Sequence, residues 1–264
     1  MALSPAITSS DVALRGALGG PAAALVAYLT AGHPDRATSL EALRVAARWA
    51  EVIEVGVPFS DPLADGPVIQ RASQRALDGG MTVRGALDLV AAAGLSCPVV
   101  LFSYLNPLLR YGLPRLMDDA AAAGVAGLLV TDLPAGSDPG LEAQLAAGPL
   151  TRIPLVAPTT SVERMRAVSR LGGGFVYLIS RLGVTGARAG LPPDLSATVA
   201  RVREATSLPV AVGFGVSTPE QAREAGQLAD GVVVGSALVA ALEARGVAGL
   251  EALLVQLHDA LGTA

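Results

Sequence analysis

Eight short runs rich in Val, Ile and Leu recur along the chain, at residues 25–29, 52–55, 98–103, 126–130, 153–157, 175–179, 209–213 and 231–235. Between them lie Ala/Leu/Arg segments with helical spacing, at 38–50, 83–93, 113–122, 162–171, 194–206 and 219–225. Strands that alternate with helices pair in parallel through right-handed crossovers, and eight such units predict a closed (β/α)8 TIM barrel of the α/β class. An open, doubly wound sheet is the structural rival. Two additions to the plain barrel are expected: an extra N-terminal helix at 10–18, and a second helix after strand 2, so that 68–77 precedes 83–93. The last helix is expected at 247–261. No Pro/Ser-rich or highly charged boundary divides the 264 residues, so the expectation is one domain, 1–264.

Composition narrows the function. The chain is 52% hydrophobic and 3% aromatic, which suits buried parallel strands wrapped by Ala-rich helices and offers no stacking platform for nucleic acid. A net charge of −4 without a dense basic cluster argues against nucleic-acid or membrane-surface partners. The single Cys97 cannot close an internal disulfide and reads as a small hydrophobe at a strand entrance. With no basic n-region before an apolar h-region and no apolar run long enough to span a bilayer, the expected location is cytoplasmic.

Chemistry concentrates in residues 51–70, EVIEVGVPFSDPLADGPVIQ. A strand covered on both faces should be almost wholly aliphatic, so Glu54 in Val52-Ile53-Glu54-Val55 is a carboxyl group placed where charge is costly. Burial raises its pKa toward the range of a general acid or base. Gly56-Val57-Pro58 ends the strand, and the Ser60–Pro67 stretch has the turn chemistry of a shaped loop, which lets Asp65 face Glu54 across a pocket. On spacing alone, a rim salt bridge for Glu54 and a turn role for Asp65 stand equally open.

The ends of strands six to eight carry glycine. Gly213-Phe214-Gly215-Val216-Ser217 follows strand seven, and Gly235-Ser236 opens a helical run after strand eight. Backbone N–H groups approach an anion closely at glycine, and a helix start presents unpaired donors, so this end of the barrel predicts a phosphate site. The long, Gly-rich connection 180–190 reads as a lid. For any one glycine, a simple turn requirement is the alternative. A metal centre is not expected, because His33 and His258 are the only histidines and lie far apart in sequence. Imine catalysis by a lysine is excluded because the chain has none.

The string EVGVPFSDPLADGP closely resembles the signature of the tryptophan synthase alpha subunit family, and YLISRLGVTGAR, PVAVGFGVSTPEQ and ADGVVVGSALV resemble the same family. The resemblance implies cleavage of indole-3-glycerol phosphate to indole and glyceraldehyde 3-phosphate, a metal-independent retro-aldol reaction of tryptophan biosynthesis. It implies Glu54 and Asp65 as the catalytic carboxylates, and Tyr177, Thr185, Gly186, Phe214, Gly215, Gly235 and Ser236 as the substrate-binding set. Thr185 matches a family threonine that contacts the loop bearing the aspartate, and Tyr177 is read equally as a core residue. No cofactor is implied in this chain. The implied partner is a pyridoxal-phosphate-dependent beta subunit in an alpha2-beta2 complex, met by Asp61, Pro62, Asn106 and Pro134 on loops at the active-site face. A free-standing lyase and a non-catalytic, phosphate-sensing regulatory subunit are the alternatives. Many members carry Asp at the position of His33, which is read here as an exposed loop residue.

Overall fold

The computed structural model describes residues 8–179, 190–213 and 215–262. Every expected β-rich run becomes extended chain: β1 (Ala24–Thr30), β2 (Val52–Gly56), β3 (Val99–Ser103), β4 (Val125–Val130), β5 (Thr151–Arg152), β6 (Leu155–Val156), β7 (Val176–Ile179), β8 (Val210–Gly213) and β9 (Gly231–Val234). All pair in parallel, in the order β5-β4-β3-β2-β1-β9-β8-β7-β6.

Of the fifth expected run, 153–157, only β6 is strand; β5 lies just ahead of it, and proline separates the two. Pro154 has no N–H to give to a ladder, so the segment changes partner around it. β5 pairs with β4 and β6 pairs with β7. Ile153 N donates to Leu128 O at 2.9 Å, and Tyr177 N donates to Pro154 O at 2.8 Å, so the interrupted segment bridges both neighbours and closes the ring. The architecture is a TIM-type barrel, and the open sheet is discarded.

Strand alternation fills the barrel from within. Val26, Val52, Val100, Leu129, Ile153, Phe175, Ala211 and Val233 pack together inside, while Leu25, Ile53, Val55 and Leu101 point outward into the helical layer. The interior is plugged at its amino end by Leu14 of α1 (Ser9–Ala17) and by Leu18 just beyond it. Asp11 ties this plug to the barrel, accepting from Gly174 N at 2.6 Å and from Arg15 Nε at 2.8 Å.

Helices start where a short polar side chain caps them. Asp35 accepts from Thr38 N at α2 (Arg36–Ala46), Thr82 from Gly85 N at α4 (Val83–Ala93), and Thr218 from Gln221 N at α10 (Pro219–Gly226). The two helices expected after strand 2 are α3 (Pro67–Asp78) and α4. The outer layer continues with α6 (Leu113–Ala122), α7 (Pro139–Ala146), α8 (Val162–Ser169) and α9 (Leu195–Ala205). α11 (Ser236–Gly262) joins the two expected terminal helices across a kink at Gly246, whose φ of 64° is left-handed.

Two expectations are corrected. The segment around Asn106, expected to be loop, is α5 (Leu105–Tyr111); Pro107 falls in its first turn, where a missing N–H costs nothing. Asp132 accepts from Leu105 N at 2.7 Å and fixes where that helix begins. His33, expected to be exposed, is 1% exposed. Gly32 at φ +80° turns the chain inward there, and Arg75 of α3 holds the turn by donating to Pro34 O at 3.1 Å.

Candidate active site

Glu54 faces the barrel interior because Val52, Glu54 and Gly56 share one face of β2. Its register neighbours are Tyr28 on β1 and Val100 on β3. The carboxyl group is fully buried, and neither oxygen has a hydrogen-bond partner. Desolvation alone pushes its pKa up to about 8.

Asp65 returns to the same space from the loop after β2. Leu63 N donates to Asp61 O at 2.9 Å and Asp65 N to Pro62 O at 3.0 Å, so two tight turns bring the aspartate back over the barrel mouth. The fold thereby converts the Asp-Pro and Asp-Gly-Pro turn residues into a support for one inward side chain. Asp65 is 6% exposed. The Tyr104 hydroxyl donates to Asp65 Oδ2 at 3.1 Å and accepts from Ala64 N at 2.9 Å, while Gln70 Nε2 donates to Asp65 O at 2.9 Å. Burial raises the Asp65 pKa to about 6, against the lowering effect of the Tyr104 hydrogen bond.

Glu54 and Asp65 line one cavity. Its walls near the carboxyls are Tyr28, Ile69, Phe102, Tyr177 and Val233, and its other end is Gly215, Val216, Ser217, Gly235, Ser236 and Ala237. The aromatic walls rest on glycines. A Cβ on Gly56 would lie 2.1 Å from the Tyr28 hydroxyl oxygen, and one on Gly213 would lie 2.2 Å from that of Tyr177. The Tyr28 ring meets Phe102 edge-on at 5.3 Å between centroids.

At the glycine end, Gly215 takes a left-handed φ of +92°. The first i,i+4 bond of α11 is Val239 N to Gly235 O at 3.0 Å, so the N–H groups ahead of Val239 precede the helical ladder and point toward the cavity end. The Ser217 side chain and backbone N–H both donate to Gln221 Oε1, which fixes this turn on α10. The arrangement is a donor-rich recess suited to an anion.

Of the expected site residues, Glu54, Asp65, Tyr177, Gly215, Gly235 and Ser236 meet at this cavity. Thr185, Gly186 and Phe214 lie outside the described residues, as does the rest of the expected lid through 189. Asp61 and Asn106 are exposed and Pro62 half-buried. Asn106 borders a groove with Pro58, Phe59 and Ser60, whereas Pro134 belongs to a separate hollow beside Arg152 and Pro154. Tyr177 is both wall and core, being packed with Phe175 and Ala211. Tyr28 and Phe102 were overlooked as walls, although inward alternation on strands one and three marks them. Tyr104 is a further site residue, buried against Asp65. Its place one residue beyond β3, at the carboxyl end, was the available signal.

The sequence profile of the tryptophan synthase alpha chain matches residues 19–259. The chain belongs to that family. The tryptophan synthase alpha chain of Nitratidesulfovibrio vulgaris (Hildenborough) is 48% identical over 228 residues, covering 84% of this chain and 88% of that one. The alpha chain of Geobacter sulfurreducens is 49% identical over 224 residues, covering 83% and 84%. Among solved structures, Mycobacterium tuberculosis tryptophan synthase superposes with a TM-score of 0.87 at 40% identity, covering 96% of this chain and 98% of that chain. The alpha chain from Legionella pneumophila gives 0.85 at 33% identity, with 98% of both chains covered. The chain is a carbon–carbon lyase of tryptophan biosynthesis that cleaves indole-3-glycerol phosphate.

Proposed function

We propose that Glu54 and Asp65 carry the retro-aldol cleavage, with the two carboxyl groups held in opposite charge states at neutral pH. The observation that supports this most is their shared cavity combined with unequal surroundings: Glu54 has no partner and a pKa near 8, whereas Asp65 is hydrogen-bonded and near 6. At pH 7 the first is a neutral acid and the second an anion. The bond from indole C3 to the glycerol side chain breaks heterolytically only when the ring can accept its electrons. Glu54 gives its proton to C3, and the ring nitrogen becomes cationic beside the Asp65 carboxylate, which accepts a hydrogen bond from the ring N–H. The Glu54 carboxylate then takes the proton of the side-chain hydroxyl. The oxygen lone pair forms the aldehyde, the cleaved pair restores the indole ring, and Glu54 ends as the acid it began.

Gly215, Gly235 and Ser236 hold the substrate phosphate, aided by the α11 start, and Tyr177 with Tyr28 and Phe102 flanks the indole. Gly186, Thr185 and Phe214 complete the set on the lid and after β8. The chain acts as one domain, 1–264, in the cytoplasm. It pairs with a beta subunit as alpha2-beta2 through Asp61, Pro62, Asn106 and Pro134, and the beta subunit holds the pyridoxal phosphate that consumes indole. The exposed side chain of Leu63 beside Asp61-Pro62, 86% exposed, supports that face as the contact surface.

The test is indole release from indole-3-glycerol phosphate by the purified chain, alone and with a tryptophan synthase beta subunit. Release that increases with the beta subunit is expected. Release that the beta subunit leaves unchanged contradicts the partnership, and silence in both conditions contradicts the assignment of Glu54 and Asp65.

A further inference from the structure

His33 is a buried imidazole that the cleavage mechanism does not use. It follows β1 in the turn Ala31-Gly32-His33-Pro34 and is 1% exposed, yet neither ring nitrogen has a hydrogen-bond partner. A neutral imidazole brings one donor and one acceptor, and leaving both unmet inside a protein is costly. Three hydrogen bonds hold the backbone around it. His33 N donates to Thr30 O at 3.2 Å, Gly32 N to Ser39 Oγ on α2 at 3.0 Å, and Arg75 Nε on α3 to Pro34 O at 3.1 Å. The turn is thus fixed on two sides, and the ring is held where solvent does not reach it.

The location gives this side chain its consequence. Behind the cavity, Tyr28 of β1, Ile69 and Ala72 of α3, and Val239 of α11 form one apolar seam. α3 begins directly after Asp65-Gly66, and α11 begins at Ser236 in the anion recess. The charged groups that face His33 are Asp35 in its own turn, Arg75 on α3 and Glu243 on α11. α2 presents Ser39, already engaged by Gly32. The imidazole therefore sits among the elements that carry the two halves of the site.

We propose that His33 is a positioning residue: as the neutral ring it fills the junction of the β1 turn with α3 and α11 and keeps the Asp65 loop in register with the anion recess, and on taking up a proton it loosens that junction. A charged imidazole at 1% exposure has no hydrogen-bond partner where it stands, and to gain one it must draw in water or move toward a carboxylate, parting the packed elements. Burial already holds the His33 pKa below the ordinary 6.5, outweighing the opposing pull of Glu243. The stability this contributes is complete above the unfolded value of 6.5 and is lost as pH falls beneath it.

The proposal rests on the lyase reading for its kinetic consequence but not for its physical one, so two measurements separate them. The chain has only two histidines, His33 and His258, so the pH dependence of deuterium exchange at their ring C2–H positions, read by mass spectrometry on the native protein, resolves each without mutation. His33 should titrate below 6.5 and exchange more slowly than His258; a midpoint at or above 6.5 overturns the proposal. In parallel, kcat/KM for indole release and the unfolding equilibrium are compared between the native chain and His33→Gln from pH 8 to pH 5, each scaled to its own value at pH 8. The substrate phosphate ionises alike in both. The native chain should lose kcat/KM, chiefly through KM, and gain in unfolding constant by up to about tenfold more per pH unit than the variant below the unfolded imidazole value. Parallel curves overturn the proposal. If neither protein releases indole, the lyase assignment of the site fails while exchange and unfolding still judge His33; if His33→Gln does not fold, the exchange midpoint decides.

Discussion

The Tyr104 hydroxyl donates a 3.1 Å hydrogen bond to Asp65 Oδ2, and this bond opposes the burial that raises the Asp65 pKa to about 6. A hydrogen bond to a charged acceptor contributes about 1.5–3 kcal/mol, which corresponds to about one to two pKa units. Tyr104→Phe should therefore move the Asp65 ionisation upward by about one unit and shift the acid limb of kcat/KM by the same amount. The comparison of pH profiles for the native chain and the variant measures this; unchanged limbs would show that Tyr104 does not tune Asp65.

Glu54 makes a distinct statement about stability. Its folded pKa near 8 lies above the 4.5 of the unfolded side chain. The folded state binds the proton more tightly between those values, so the stability linked to Glu54 is complete below 4.5 and declines as pH rises to about 8. The slope approaches about 1.4 kcal/mol per pH unit within that window. Glu54→Gln should abolish the slope and, with it, about 10²–10⁴-fold of the indole-release rate. Chemical denaturation at several pH values, run beside the activity assay, distinguishes a flattened profile from a uniform offset.

Gly213 is obligatory for a steric reason, since a Cβ there would sit 2.2 Å from the Tyr177 hydroxyl oxygen and 2.5 Å from its Cζ. Gly213→Ala should displace the ring from the cavity wall, costing about 1–3 kcal/mol of stability and raising KM. Thermal unfolding together with steady-state kinetics checks both effects. A variant with native Tm and native KM would mean that the wall yields without consequence.

Asp11 joins the N-terminal plug to the chain before β7 through Gly174 N at 2.6 Å. Asp11→Ala leaves that buried N–H without its acceptor and should destabilise the protein by about 1–3 kcal/mol, with little change in kcat measured well below the unfolding temperature. Urea midpoints and room-temperature turnover provide the readout.

Much of the barrel is legible in the sequence because its strands are short aliphatic runs bounded by Gly and Pro, and the helices between them keep one apolar face. The split at Pro154 is harder to read, since a proline alone does not say which neighbour each half of a strand will choose. Pro107 misleads in a related way. It looks like a loop residue, yet it sits in the first turn of α5, where proline is tolerated. Glu54 stands out because a carboxyl group in Val52-Ile53-Glu54-Val55 interrupts an aliphatic strand, although spacing alone leaves a rim salt bridge equally open. The support of Asp65 by Tyr104 is not legible, because 39 residues separate them and only the closed ring brings them together. His33 escapes for the same reason: a polar residue in a Gly-Pro turn reads as surface until the turn is fixed against α2 and α3 and the ring is buried.

The central claim is that one cavity holds a protonated Glu54 and an ionised Asp65 at neutral pH. Its most direct test is the alkaline limb of kcat/KM for indole release, measured from pH 7 to pH 10, above the second ionisation of the substrate phosphate at about 6. The account predicts a fall with a midpoint near 8, as Glu54 loses its proton. Activity that holds level through pH 10, or a Glu54→Gln variant that releases indole at the native rate, would contradict it.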